Sequence, residues 1–365
     1  MQFLLVLLLV SMVTLLASFA LVNTQSWHGR YSNDSTFGVQ KFHTEATPRI
    51  GGVAVLLGSV VAWALAAPTL QTILGPLLLA GMPAFAFGLA EDLTKRVSVS
   101  KRLLATMSSG MLGWAITGLS ITDVQVPGLD WLLGFTMVSV LFTAFAVGGV
   151  ANAINIIDGF NGLAAGSLII ILGAFAMIAS AFGDVDLMQT CLILTSVVAG
   201  FSLLNWPWGK LFLGDGGAYF LGFCVAWLAV LLLHRHAEVS AWAPLLVCGF
   251  PFLEVIFSII RRWRRRASAG DADCLHLHSL VKRRLVRRLL PNASKLVRNS
   301  VTGSIMWIAA LLPVPFALHC VTDTPALVLG FAFYAFLYSA AYARLTQFRW
   351  CLSGITVRRA SLSTQ

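Results

Sequence analysis

About eleven apolar stretches alternate with short polar connectors along the chain, near residues 2–22, 50–67, 74–90, 103–119, 131–151, 163–182, 187–204, 211–233, 241–260, 302–320 and 325–342. A helix needs about 20 apolar residues to cross the hydrocarbon of a bilayer. Backbone groups in lipid must be satisfied within the segment, and these runs lack the alternation of barrel strands, so each is predicted to be helical. The expected fold class is an all-α polytopic membrane protein with about 10–11 transmembrane helices. One integral membrane domain is expected over 1–365, with a long connector at 261–301 and a tail at 343–365.

The polar residues are unevenly placed. The absence of Lys or Arg before Arg30 puts the N-terminus outside, and the stretches 23–49, 91–102, 152–162, 205–210, 261–301 and 343–365 inside. These hold every Lys and Arg of the chain except Arg235, as the positive-inside rule requires of cytoplasmic loops. The net charge of +10 is then gathered on one face, where it can attract anionic lipid or the phosphates of a nucleotide. Nucleic acid is not an expected partner, since no separate soluble domain is present to read it. Composition agrees with the membrane class: 58% hydrophobic, 11% charged, mean hydropathy +0.83, where soluble domains carry roughly 45–50% apolar and about 25% charged residues. Basic residues follow the first span rather than precede it, so it is read as a retained helix and not a signal peptide. The six cysteines lack metal or redox spacing and imply no disulfide framework.

Five connectors carry candidate chemistry. The first contains Lys41-Phe42-His43 and then Pro48-Arg49-Ile50-Gly51-Gly52; its glycines permit close approach to a ligand, and a flexible turn with anchoring charges explains it equally. In the second, Glu91 and Asp92 stand together at a membrane exit, which is costly unless they serve a metal, a cation or a substrate. Lys95, Arg96, Lys101 and Arg102 are the plain alternative partners. In the third, Asn152, Asn155 and Asp158 recur every three residues and can share a helix face, followed by Gly159, Asn161 and Gly162. Carboxylate and amide oxygens are hard ligands suited to Mg²⁺ that also binds phosphates, and a helix cap alone needs only one such residue.

The fourth connector, Gly214-Asp215-Gly216-Gly217, opens a span whose N-terminus offers positive potential and free amides to phosphate; an N-cap accounts for Asp215 by itself. The last holds His276-Leu277-His278-Ser279 between runs of arginine. Two histidines spaced two apart in an extended segment point the same way. No third ligand joins them at a zinc spacing, so phosphate recognition fits better than a metal role. Glu254, about two turns inside the ninth span, is read as a snorkelling partner of Arg261 or Arg262 and not as catalytic.

Together these blocks resemble the polyprenyl-phosphate N-acetylhexosamine-1-phosphate transferase superfamily, over about Lys41 to Arg284. The Asn152-Ala153-Ile154-Asn155 block with Gly159 and Asn161-Gly162-Leu163 is the most specific match. Gly214-Asp215-Gly216-Gly217 is another, as is the acidic pair with Lys101 ten positions after Glu91. Three positions depart from the family pattern. Glu91 stands where the first of two aspartates is usual, Asn161 replaces an acid of many members, and Ser279 replaces a final histidine. The histidine loop differs from that of the muropeptide branch and points to the surface-polysaccharide branch.

The resemblance implies transfer of a sugar-1-phosphate from a UDP-sugar to undecaprenyl (polyprenyl) phosphate with release of UMP, initiating an O-antigen, exopolysaccharide or other envelope glycan. It also implies a bacterial inner membrane with the site facing the cytoplasm, and a homodimer is compatible with it. Both reactants are anions, so charge neutralisation and positioning dominate. Mg²⁺, with Mn²⁺ as the alternative ion, would be held by Asp215 and Asn155. Lys101 and His276 would neutralise phosphate oxygens, His278 supporting them, and Asp92 or Asp158 would orient the acceptor or act as base. Lys41, Glu91, Asn152 and Asn161 would complete the substrate contacts. Direct attack is favoured over an aspartyl intermediate, because a phosphate monoester with a second pKa near 6 is largely dianionic at neutral pH. A transporter or flippase of lipid-linked or anionic solutes is the alternative. It would keep its site near the midplane and show repeated halves.

Overall fold

The computed structural model describes residues 2–34, 46–265 and 275–347. The architecture is carried by α1 (Gln2–Asn23), α2 (Gly51–Leu65), α3 (Pro68–Thr94), α4 (Val99–Thr117), α5 (Thr136–Ile157), α6 (Leu163–Ala181), α7 (Val185–Asn205), α8 (Gly214–Arg235), α9 (Gly249–Arg265), α10 (Lys295–Leu311) and α11 (Thr324–Thr346). Each predicted apolar stretch falls on one of these helices.

Among the described residues, eight helices are long and apolar enough to cross a membrane, counting α10 with its continuation to His319. The chain is a multi-pass membrane protein. Three predicted spans fall short, each for a visible reason. α2 is apolar but only 15 residues long, about 22 Å at about 1.5 Å per residue. α4 carries Lys101 and Arg102 in its first turn and Thr106, Ser108 and Ser109 behind them. α9 has 17 residues and ends in Arg261, Arg262, Arg264 and Arg265.

α8 is the axle of the bundle. Of its apolar stretch 89% is buried, against 17% in α1 and α11, and it packs on α2, α3, α5 and α6. Lipid tails are as apolar as leucine, so helices in a bilayer are held by close packing of small residues. Here the approach is backbone to backbone. A methyl group on Gly52 would sit 2.3 Å from the Gly217 nitrogen, and one on Gly88 2.6 Å from the Asp215 carbonyl carbon. α3 contains Pro76 and Pro83; beside the second, the Ala84 N–H donates to Ser109 Oγ of α4 at 3.0 Å. A neighbouring helix thus satisfies an amide near the proline.

Two connectors are built into this core. Phe212 N–H donates to the Pro48 carbonyl at 2.9 Å, Gly51 N–H to Phe212 at 2.9 Å and Gly52 N–H to Leu213 at 2.8 Å. That zipper sets Arg49 over the start of α8. The connector predicted at 261–301 is, where described, not a loop throughout. Leu277–Val281 forms a short, wholly buried helix and Lys282–Val286 a π-helical turn. α10 begins at Lys295, where Ser294 Oγ accepts from the Val297 N–H.

Candidate active site

The ends of α3, α4, α5 and α8 meet around Asp215. Asp92, in the last turn of α3, is fully buried. Its Oδ1 accepts the Asp215 N–H and its Oδ2 the Gly216 N–H, both at 2.9 Å. A carboxylate at a helix N-terminus is stabilised by amides and dipole alike. The amides predicted to lie open to phosphate are therefore taken up by Asp92.

Asp215 is the hub. Arg49 Nη2 lies 3.1 Å from its Oδ1 and 3.5 Å from Asp92 Oδ1. Arg102 Nη1 pairs with its Oδ2, while Arg102 Nε is buried with no hydrogen-bond partner among the described residues. Asn155 Nδ2 donates to Asp215 Oδ1 at 3.0 Å, and Tyr219 OH donates to Asn155 Oδ1 at 3.2 Å. Asp158 caps α5 and receives the Gly214 N–H. Burial pushes its carboxyl up to about 7, with Arg49 and that N–H working against the shift and the Asp215 charge with it.

Of the residues singled out from sequence, Asp92, Asn155, Asp158 and Asp215 come together. Others do not join them. Lys101 is exposed, and the neighbouring Arg102, about 100° round the helix, takes the inward position. Glu91 Oε2 accepts the Val97 N–H at 2.8 Å and closes the turn after α3. Asn152 ties α5 to α4, donating to the Gly148 carbonyl at 2.7 Å and Thr106 Oγ1 at 3.2 Å. Asn161 is buried and donates to Ser300 Oγ at 3.2 Å and the Pro207 carbonyl at 3.4 Å, holding the 205–210 connector to α10. Lys41 lies outside the described residues.

The histidines form a second group. Their rings stack 5.1 Å apart at an interplanar angle of 8°. His278 also packs edge-on to Phe160 at 5.4 Å, and a methyl group on Gly159 would meet its Nε2 at 3.2 Å. That places it against the turn that follows Asp158. Burial holds the His278 imidazolium down, opposed by Glu254. Glu254 itself is corrected. Instead of snorkelling to an arginine it is fully buried, 3.0 Å from His276 Nδ1, and accepts the Leu277 N–H at 3.0 Å. Arg49, Arg102, Tyr219 and Glu254 were the functional candidates sequence reasoning passed over. Arg49, beside Gly51-Gly52, Arg102, beside Lys101, and Tyr219, two places past Gly217, had a motif close by to mark them; Glu254 had none.

Lys282 sits under Phe160, its ammonium 4.9 Å from the ring centre, and donates to Asn299 Oδ1. Burial, with Lys295, Arg298, Arg283 and Arg287 nearby, pushes its amine from the ordinary 10.5 down to about 7. Between those values the folded chain binds fewer protons than the unfolded one, so stability should rise as pH climbs from about 7. Lys282→Met should raise Tm most at or below that pH and flatten the trend. A thermal-shift series in detergent over roughly pH 6 to 9 measures it, and an unchanged slope in the variant would contradict the assignment.

Residues 74–233 match glycosyl transferase family 4. Over 66% of the chain it is 29% identical to a probable undecaprenyl-phosphate N-acetylglucosaminyl 1-phosphate transferase of Bacillus subtilis, of whose length it covers 66%. Over 67% of the chain it is 25% identical to the undecaprenyl-phosphate alpha-N-acetylglucosaminyl 1-phosphate transferase of Yersinia pestis, covering 68% of it. A phospho-N-acetylmuramoyl-pentapeptide-transferase of Geobacillus kaustophilus is 31% identical over 51% of the chain and is covered over 61% of its length. The chain thus spans about two thirds, or somewhat less, of these relatives.

Proposed function

We propose, from the match of residues 74–233 to glycosyl transferase family 4, that this chain transfers a sugar-1-phosphate from a UDP-sugar to polyprenyl phosphate and releases UMP. The observation that carries this is the convergence of Asn155, Asp158, Asp215, Arg49 and Arg102 at one end of the bundle. An oxygen of the lipid phosphate attacks the sugar-linked phosphorus. A new P–O bond forms, the bond to the UMP oxygen breaks, and UMP leaves with the electron pair. Two anions must be brought together, so neutralisation and alignment are the main tasks.

Asp92 is a positioning residue in this scheme. Both its oxygens are engaged by α8, which holds Asp215 in place. Asp158 is then the acid left to orient the acceptor phosphate or take a proton from it. Arg49 and Arg102 supply positive charge at the reacting phosphates. Asp215, with Asp158 and the amide oxygen of Asn155 beside it, brings hard oxygen donors to the end of the bundle that carries Arg49 and Arg102. That donor set fits a divalent Mg²⁺, with Asp215 and Asn155 as its holders; such an ion supplies Lewis-acid neutralisation of the diphosphate when bound.

A carrier keeps its site near the bilayer midplane, whereas these groups sit at helix ends, which favours the enzyme. The basic connectors support a cytoplasmic placement of that end, where UDP-sugar would be supplied and lipid phosphate would arrive from the inner leaflet of a bacterial plasma membrane. The longer alignments with N-acetylglucosaminyl transferases support the surface-glycan branch over the muropeptide one. Purified protein with undecaprenyl phosphate, Mg²⁺ and either UDP-N-acetylglucosamine or UDP-N-acetylgalactosamine should release UMP from at least one donor. Release from neither, with the lipid acceptor present, would count against the reading.

The same assay separates two neighbouring cations. Arg102→Gln should raise KM for the UDP-sugar and lower kcat, together about 10²-fold in kcat/KM, as expected for one lost charge clamp. Lys101→Gln should stay within about twofold of wild type, since a solvated charge contributes little. The reverse ranking would restore Lys101 as the phosphate contact.

A further inference from the structure

The stretch between α1 and α2 holds a short helix, Gln25–Ser32, that the reaction described above does not use. Its two faces differ. Gly29 and Ser32 are buried, and Gln25 and His28 share that face at helical spacing. On the other face Trp27 and Tyr31 are 84% and 61% exposed, with Arg30 over the Tyr31 ring at 5.8 Å. Tryptophan and tyrosine next to a span are side chains that settle at headgroup depth. A helix of eight residues is marginal by itself, so its inward face must tie it down.

His28 supplies the tie. Its Nε2 donates to the Leu21 carbonyl at 2.9 Å, and its Nδ1 stands 2.6 Å from Ser32 Oγ. A carbonyl only accepts, so Nε2 carries a proton, and the hydroxyl facing Nδ1 can donate to it. The ring thus joins the last turn of α1 to the end of the short helix. Gln25 Nε2 adds bonds to Asn33 Oδ1 at 3.0 Å and the Ala46 carbonyl at 2.8 Å. Backbone then takes over. The Ser32 carbonyl accepts the Arg49 N–H at 2.9 Å, and Asn33 pairs antiparallel with Pro48.

We infer that His28 is a positioning residue of Arg49: it fixes Ser32, and Ser32 fixes the backbone from which the Arg49 guanidinium reaches Asp215 and Asp92. Phe212 grips the same segment from the α8 side, so residues 48–51 are clamped between two anchors. Removing the His28 anchor lets the strand shift, and the guanidinium at its end moves relative to Asp215. The exposed aromatic face refers the whole clamp to the membrane surface, the level at which a lipid phosphate arrives.

This inference rests on the transferase reading for its catalytic consequence, and the anchoring is measured apart from it. Hydrogen–deuterium exchange of the full chain in detergent should find the Arg49 amide protected in the wild type. In His28→Ala that amide should exchange at least about tenfold faster, as local opening predicts. In the UMP-release assay described above, His28→Ala should lower kcat/KM about 10- to 100-fold, the scale for a displaced reacting group. His28→Gln, whose amide presents a donor and an acceptor in place of the two ring nitrogens, should recover part of the loss. Arg49→Gln should lose more, and His28→Ala should cost nothing further in that background, because the two residues act as one unit. Ser32→Ala removes Oγ and keeps the carbonyl, so it repeats the test with a smaller loss if His28→Ala does not fold. Wild-type kcat/KM in both His28→Ala and Ser32→Ala, an Arg49 amide unchanged by them, or losses that multiply in the double variant would overturn the inference. Wild-type protein that releases no UMP, while its Arg49 amide is protected and is freed by His28→Ala, would overturn the reaction and leave the anchor standing.

Discussion

Asp215→Asn should reduce UMP release by about 10³-fold or more, the scale expected when a site loses its central electrostatic anchor. The side chain touches Arg49, Arg102 and Asn155. An amide in its place keeps the volume but removes the charge that holds two guanidinium groups and completes the hard-oxygen set. The fold should survive the change. Asp92 grips residue 215 through its backbone N–H, which asparagine retains, so the cap on α8 is intact and membrane insertion and Tm should stay close to wild type. Kinetics and a melting curve on the same purified sample check both halves. Full activity in the variant would remove Asp215 from the reaction.

Gly88→Ala should cost nearly as much by a different route. The added methyl group would lie 2.6 Å from the carbonyl carbon and oxygen of Asp215 and from the Gly216 nitrogen. Backbone atoms cannot swing aside, so α3 and α8 must separate. Overpacking of this kind destabilises by about 1–3 kcal/mol. The larger consequence is displacement of Asp92 from the two amides it caps, and a shift of about 1 Å at reacting groups can cost about 10² in rate. Gly149→Ala on α5, where nothing lies within 4 Å of the added atom, is the matched control and should leave kcat unchanged. Equal activity in the two variants would show that the α3–α8 contact tolerates slack.

Much of this was legible in the chain because the bilayer simplifies the code. Continuous apolar runs have one structural outcome in lipid, the helix. Asp215 and Asn155 were readable because each stands in a dense local motif. What the sequence hid was helix phase and long-range pairing. Lys101 and Arg102 are adjacent letters, and only the cap set by Ser98 at the start of α4 decides which of them turns inward. Asn152 and Asn161 carry the right chemistry, yet each spends it on the protein itself, one on a neighbouring helix and one on α10 and the 205–210 connector. Glu254 has arginines seven and eight places along its own chain, but the partner that reaches it is His276, twenty-two residues away. Asp92 read as chemistry and sits as a clamp, because nothing local announced that the amides of another helix would arrive beneath it.

The central placement of α8 bears on how the protein is made. Chains enter a membrane from the N-terminus onward, so seven helices emerge before the one they surround. Those earlier helices must either stay apart or leave an opening wide enough to admit a latecomer. Until Gly214–Arg235 slots in, Asp92 lacks the Asp215 and Gly216 amides that it binds. The cluster around Asp215 is therefore assembled only once α8 has joined the helices that precede it.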